Sequence, residues 1–151
     1  MDDYKKLVAN ALKSVAEIFP WDLEERVDKD FLLLDIREKN EFDFMHIKNS
    51  ISVPRGVLEG ACCWNYNDTI KELVLARNKE IIIICKSGNR SALAGLTMQN
   101  MGYKNVKSLK MGIKGWNDND FETINKNNNI VDFDTADNWL NTPVPAENIE
   151  P

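Results

Sequence analysis

Cys85 stands at the end of the apolar run Ile81–Ile84 and is followed at once by Lys86, Ser87, Gly88, Asn89, Arg90 and Ser91. A short polar loop centred on glycine can turn its backbone amides inward as an anion-binding nest. A helix beginning near Arg90 or Ser91 would add the positive end of its dipole, and Lys86 and Arg90 supply two full positive charges. Each of these favours a thiolate over a thiol, and the same amides would hold the oxygens of an anionic substrate beside the sulfur. A cysteine that closes an isoleucine-rich strand can equally be a small hydrophobe of the core. Taken alone, the loop leaves nucleophile and filler both open.

Four other places carry groups able to do chemistry. Asp35 ends the apolar run "FLLLDI" and can pair with Arg37 or receive hydrogen bonds from a neighbouring loop, which reads as a structural charge. His46 is the sole histidine, and a lone histidine invites a general-base reading. Arg55, just after Pro54, is a candidate rim cation for an anionic donor or acceptor. Cys62 and Cys63 are adjacent, too close to make a metal site alone, and no nearby histidine completes one. They read as small buried residues under Trp64 and Tyr66, with a resolving thiol as the alternative.

Positioning Cys85 demands a strand beneath it and a helix after it. The chain supplies these in alternation. Residues from about Asp3 to Phe19 recur at helical spacing and stop at Pro20. "DLEERVDKD" is a short charged helix or loop. Phe31–Ile36 reads as a strand buried on both faces, "REKNEFDFMHI" as a turn and short helix, and "SISVP" as a short strand. Residues 69–78 suggest a helix capped by Asp68 or Thr69, and Ile81–Ile84 a strand. Ser91–Met101 follows as a helix ended by Gly102, then "NVKSLK" as a strand and "GIKGWNDNDF" as a turn with a short helix. The alternation predicts an α/β fold with a mainly parallel central sheet and helices on both faces. In such sheets functional groups gather at the carboxyl ends of the strands, where Cys85 falls. Three parts are expected: an N-terminal amphipathic helix over 1–21, a domain over 22–121, and a polar C-terminal extension over 122–151. Trp139 and Leu140 should dock on the core, and the last ten residues are expected to be loosely held.

The bulk properties narrow the partners. A net charge of -5 argues against nucleic acid, and no apolar run approaches the roughly 20 residues of a membrane span. The charged N-terminus does not read as a signal peptide. Three cysteines make no disulfide framework, so a reduced cytoplasmic protein is expected.

Two segments resemble the rhodanese-like, single-domain sulfurtransferase family. "LLLDIREKNEFDFMHIKNSISVP" is similar to its first half, and "IIIICKSGNRSALAGLTMQNMGYKNVKSLKMGIKGW" to its second, in order and correctly spaced from about Asp22 to Phe121. The resemblance implies a rhodanese-like three-layer domain and a thiosulfate sulfurtransferase without cofactor or metal. Cys85 would take a sulfane sulfur as a persulfide and pass it to a thiol or cyanide. The loop Lys86, Ser87, Gly88, Asn89, Arg90 and Ser91 would cradle donor and product, with Arg90 and Lys86 pairing with the donor's anionic part. The implied partners are a small anionic sulfur donor, a thiol or cyanide acceptor and a sulfur-acceptor protein. Related phosphatases place one more residue between cysteine and arginine, so phosphate-ester or arsenate chemistry ranks lower, and a sulfur-carrier or interaction module is the alternative. The resemblance makes His46 a structural hydrogen-bonder rather than a base, and Met45, Lys48 and Asn49 depart from the family's usual residues around it.

Overall fold

The computed structural model describes all 151 residues. In chain order the elements are α1 (Asp3–Ala11), β1 (Ala16–Ile18), α2 (Pro20–Glu24), β2 (Phe31–Asp35), α3 (Lys39–Phe44), β3 (Ile51–Ser52), α4 (Leu58–Ala61), α5 (Lys71–Val74), β4 (Glu80–Ile84), α6 (Asn89–Asn100), β5 (Asn105–Leu109), α7 (Gly112–Asp118) and α8 (Phe133–Leu140). Short 3₁₀ turns occupy Arg55–Val57 and Ala146–Asn148. The strands form one sheet in the order β1-β5-β4-β2-β3, and every neighbouring pair is parallel.

The central position of β4 explains its composition. Flanked by β2 and β5 and covered on both faces, it has no polar side, and Ile81 to Ile84 are each fully buried. Ile81 and Ile83 pack with Leu34, Leu73, Ala94 and Met98 on one face. Ile82 and Ile84 pack with Leu109, Ile113, Trp116, Ala136 and Leu140 on the other. Burying an isoleucine contributes about 1.5–3 kcal/mol, so this one strand anchors both layers.

Several boundaries differ from expectation. The first helix ends at Ala11 instead of Phe19, because Ala16–Ile18 pairs with Lys107–Leu109 as an edge strand. Helical spacing of Val15 and Ile18 is a weaker claim on the backbone than a ladder with β5. The helix expected over residues 69–78 is only Lys71–Val74, and neither Asp68 nor Thr69 caps it. Instead the Thr69 hydroxyl donates to the Cys63 carbonyl at 2.6 Å and accepts the Tyr66 amide at 3.0 Å, holding the preceding turn. Residues beyond 122 contribute more than an appended tail. Ile124 bridges to His46 and to Ile130. Asp132 caps α8 by accepting the Thr135 amide, and Val131, Ala136 and Leu140 are buried against α7. Trp139 stacks on Phe44 with ring centroids 4.7 Å apart, so the expected docking of Trp139 and Leu140 is seen. Residues 141–151 lie exposed.

Candidate active site

Cys85 continues the alternation of β4. Its side chain joins the cluster of Ile81 and Ile83, on the face that α6 covers, and it is 1% exposed. The chain then turns through Gly88, whose φ of +96° is a left-handed conformation that glycine adopts without strain. That turn aims the Gly88 amide at the sulfur, and the N–H donates to Cys85 Sγ at 3.1 Å. Gly88 is also the N-cap of the 12-residue α6, so the sulfur sits at the positive end of that helix.

A second helix start clamps the loop from below. The amides of Ile113 and Lys114 donate to the carbonyls of Cys85 (2.9 Å) and Lys86 (3.0 Å). Gly112 lies between them at φ +58°, and a Cβ there would come within 2.4 Å of the Lys86 carbonyl. No side chain fits that approach. Met111 also adopts φ +65°, a conformation that is costly for any residue with a Cβ.

Two buried hydroxyls complete the sulfur's surroundings. Ser91 Oγ is 3.3 Å from Cys85 Sγ, Ser108 Oγ is 2.6 Å from Ser91 Oγ, and Ser108 Oγ is 3.5 Å from the Gly88 carbonyl. With a thiol, the S–H donates toward Ser91 and the chain ends on the carbonyl. With a thiolate, the Ser91 hydroxyl can turn and donate to the sulfur. The same pair therefore satisfies either state.

Arg90 differs from the expectation of a cation waiting for a donor. Its Nη1 and Nη2 donate to Glu41 Oε2 and Oε1 at 2.9 and 3.0 Å, a bidentate pair that ties α6 to α3. Burial pushes the Glu41 carboxyl up, but the Arg90 hydrogen bonds and the Glu38 amide together hold it below the ordinary range. The pair fixes the Arg90 guanidinium beside the loop and offsets its charge with a carboxylate. Lys86 is half-buried, Ser87 exposed, and Asn89 half-buried as the first residue of α6. Arg55, in the 3₁₀ turn, reaches α6 farther along its length: its Nη2 donates to Thr97 Oγ1 at 3.1 Å, and Nη1 is 3.7 Å from Glu59.

The remaining candidates are held by structural contacts. Asp35 and Arg37 are fully buried and paired at 2.8 Å, with Arg37 also donating to the Met45 carbonyl. His46 stacks on Phe42 at 3.8 Å, and its Nδ1 lies 2.7 Å from the Phe42 carbonyl. Cys62 is fully buried; burial pushes its thiol up, against opposing effects of Tyr103 and Arg77. Cys63 is half-buried, and all three cysteines are free.

A family model for the rhodanese-like domain matches residues 20–119. The chain belongs to the rhodanese-like domain family. Among curated relatives, the "Putative sulfur carrier protein YrkF" of Bacillus subtilis (strain 168) is 35% identical over 105 residues, covering 68% of this chain and 51% of that protein. The adenylyltransferase and sulfurtransferase UBA4 of Meyerozyma guilliermondii is 31% identical over 90 residues, covering 59% of this chain and 20% of that one. The chain thus spans about half the length of YrkF and a fifth of UBA4. Among solved structures, a rhodanese-related protein from Thermoplasma volcanium is 31% identical with a TM-score of 0.59, covering 72% of this chain and 97% of that one. The thiosulfate sulfurtransferase of Pseudomonas aeruginosa shares the fold at 21% identity and a TM-score of 0.65, covering 85% of this chain and 24% of that one. No helix is long and apolar enough to cross a membrane.

Within this rhodanese-like domain, Glu41, Ser108 and Gly112 are site residues that the sequence reading passed over. Glu41 and Ser108 sit 49 and 17 residues from their partners in the loop. Gly112 had a local signal, a glycine opening a helix, but the backbone it approaches belongs to the loop of another strand.

Proposed function

We propose that the protein is a sulfurtransferase in which Cys85 carries the transferred sulfur as a persulfide. The observation that carries this reading is the Gly88 amide held 3.1 Å from Cys85 Sγ at the start of α6. A thiolate there attacks the outer sulfur of an anionic donor such as thiosulfate. The new S–S bond forms as the donor's own S–S bond breaks, and sulfite leaves with that bond's electron pair. A thiol or cyanide acceptor then attacks the outer sulfur of the persulfide and returns Cys85 as thiolate. The amides of Lys86 to Arg90 face the anions in both steps, the Ser91 hydroxyl donates to the sulfur, and Lys86 adds charge at the loop. Arg90 acts with Glu41 to hold the loop against α3, and Arg55 contributes at the rim. Four residues separate Cys85 from Arg90, the spacing of the sulfur-transferring form. Three free cysteines suit a reducing cytoplasm.

Incubation with thiosulfate followed by intact-mass measurement tests the reading. The wild type should gain one sulfur atom and Cys85→Ser none; no gain with any sulfane donor would overturn it. Similarity to YrkF favours a second reading, a sulfur carrier that takes sulfur from a protein donor with little turnover of small substrates. Thiosulfate:cyanide turnover comparable to a free-standing enzyme would reject it. Absent turnover, with Cys85 loaded by a persulfidated protein, would establish it. Deleting residues after Glu122 cannot separate the two, because Val131, Ala136 and Leu140 belong to the core.

A further inference from the structure

Helix α1 lies outside residues 20–119 and the proposed chemistry gives it no role, yet the topology brings its first turn to the Cys85 loop. β1 runs parallel to β5 at the sheet's edge, and α1 precedes it, running back along the same face as α6. Val8 and Ala11 pack on Ala92. Farther on, Val15 lies so near α6 that a Cβ at Gly95 would be 2.8 Å from Val15 Cγ1. Ser14 and Gln99 exchange two hydrogen bonds of 3.0 Å. The contacts advance together along both helices, so α1 and α6 are parallel, with both amino ends at the carboxyl edge of the sheet.

Tyr4 is one turn before Val8 on the same face of α1. That register sets it beside the first residues of α6, Asn89 and Arg90. The phenol is 48% exposed. Burial raises its pKa, and so does the neighbouring Cys85, while Arg90 opposes them; no hydrogen bond within the chain contributes. It is therefore a protonated, unengaged donor beside a nucleophile and a cation.

We infer that Tyr4 is a substrate-binding residue of the Cys85 site, its phenolic O–H donating a hydrogen bond to the anion that approaches the sulfur. The inference rests on the sulfur-transfer reading for the identity of that anion, though not for the geometry. It makes the added helix part of the site: α1 supplies a wall and one donor, and selects anionic over neutral reactants.

Tyr4→Phe removes only the hydroxyl and keeps the ring. KM for thiosulfate should rise about tenfold, the loss expected for a hydrogen bond to a charged group, while kcat and thermal stability stay at wild-type values. Leu7→Ala, an exposed neighbour on the same helix, is the control and should change none of these. A second readout does not depend on sulfur transfer: alkylation of Cys85 by iodoacetate relative to iodoacetamide, followed at the Cys85 peptide. That ratio should fall about threefold or more in Tyr4→Phe. Unchanged KM and an unchanged ratio would overturn the role of Tyr4 and leave the persulfide intact. If wild-type protein accepts no sulfur from any donor, the sulfur-transfer reading fails by itself, and the alkylation ratio still decides for or against Tyr4.

Discussion

Cys85 and Cys62 share one apolar cluster and are buried to the same degree, yet only Cys85 has a backbone amide turned toward its sulfur. Cys62 follows α4 with Tyr103 and Arg77 about it. The Arg77 guanidinium donates to the Cys62 backbone carbonyl, not to the sulfur, and burial keeps the thiol protonated. Cys85 follows a strand and faces a glycine amide, a helix amino end and a serine hydroxyl. Burial alone therefore says nothing about reactivity. What separates the two sulfurs is whether the backbone around each can turn donors toward it, and only the Cys85 loop, with Gly88 left-handed, does so.

The comparison can be broken most sharply by exchanging the sulfurs' fates. Cys85→Ser should abolish sulfur uptake, whereas Cys62→Ser should still gain one sulfur by intact mass; uptake that followed Cys62 would reverse the assignment. Next in size is the clamp beneath the loop. Gly112→Ala places a Cβ against the Lys86 and Cys85 carbonyls in a left-handed conformation, and should cost about 2–4 kcal/mol in denaturant unfolding. A change within experimental error would show that the loop tolerates its floor moving.

The Glu41–Arg90 pair should have a smaller effect, about 1 kcal/mol, since Arg90 is a third open to water. Its sign with pH follows from the lowered Glu41 carboxyl. The contribution is present at neutral pH and is lost as pH falls below the ordinary glutamate value of 4.5 and through the lowered one. The stability gap between wild type and Glu41→Gln should thus narrow in acid, and a gap that widened would remove the pair as its cause. An effect of the same small size is expected for the contrast itself. Cys62→Ala should cost about 1 kcal/mol as a small cavity and leave sulfur transfer unchanged.

Legibility in the sequence followed the range of the interaction. The strand Phe31–Asp35 and the sequence Ile81–Cys85–Arg90 were readable because strand, turn and helix start are consecutive and each carries its own pattern. Arg90's partner was not readable, because Glu41 also serves a local purpose: its side chain accepts the Glu38 amide in the capping box of α3. A residue with a complete local role gives no sign of a distant one. The first helix was read too long for the converse reason. Val15 and Ile18 keep helical spacing, but the open edge of β5 offers the backbone a ladder that no local pattern announces.

By itself the sequence determined the four strands from Phe31 to Leu109 in order, the cysteine at the carboxyl end of the most apolar of them, and a glycine-centred cationic loop after it. These depend on periodicity, chain direction and the conformational freedom of single residues. Only the tertiary structure decided that Arg90 is shared with Glu41, that Ser108 backs Ser91, that Gly112 closes the floor of the loop, and that α1 packs along the start of α6. Each of those joins residues far apart in the chain, and their meeting is set by how the layers pack against the sheet.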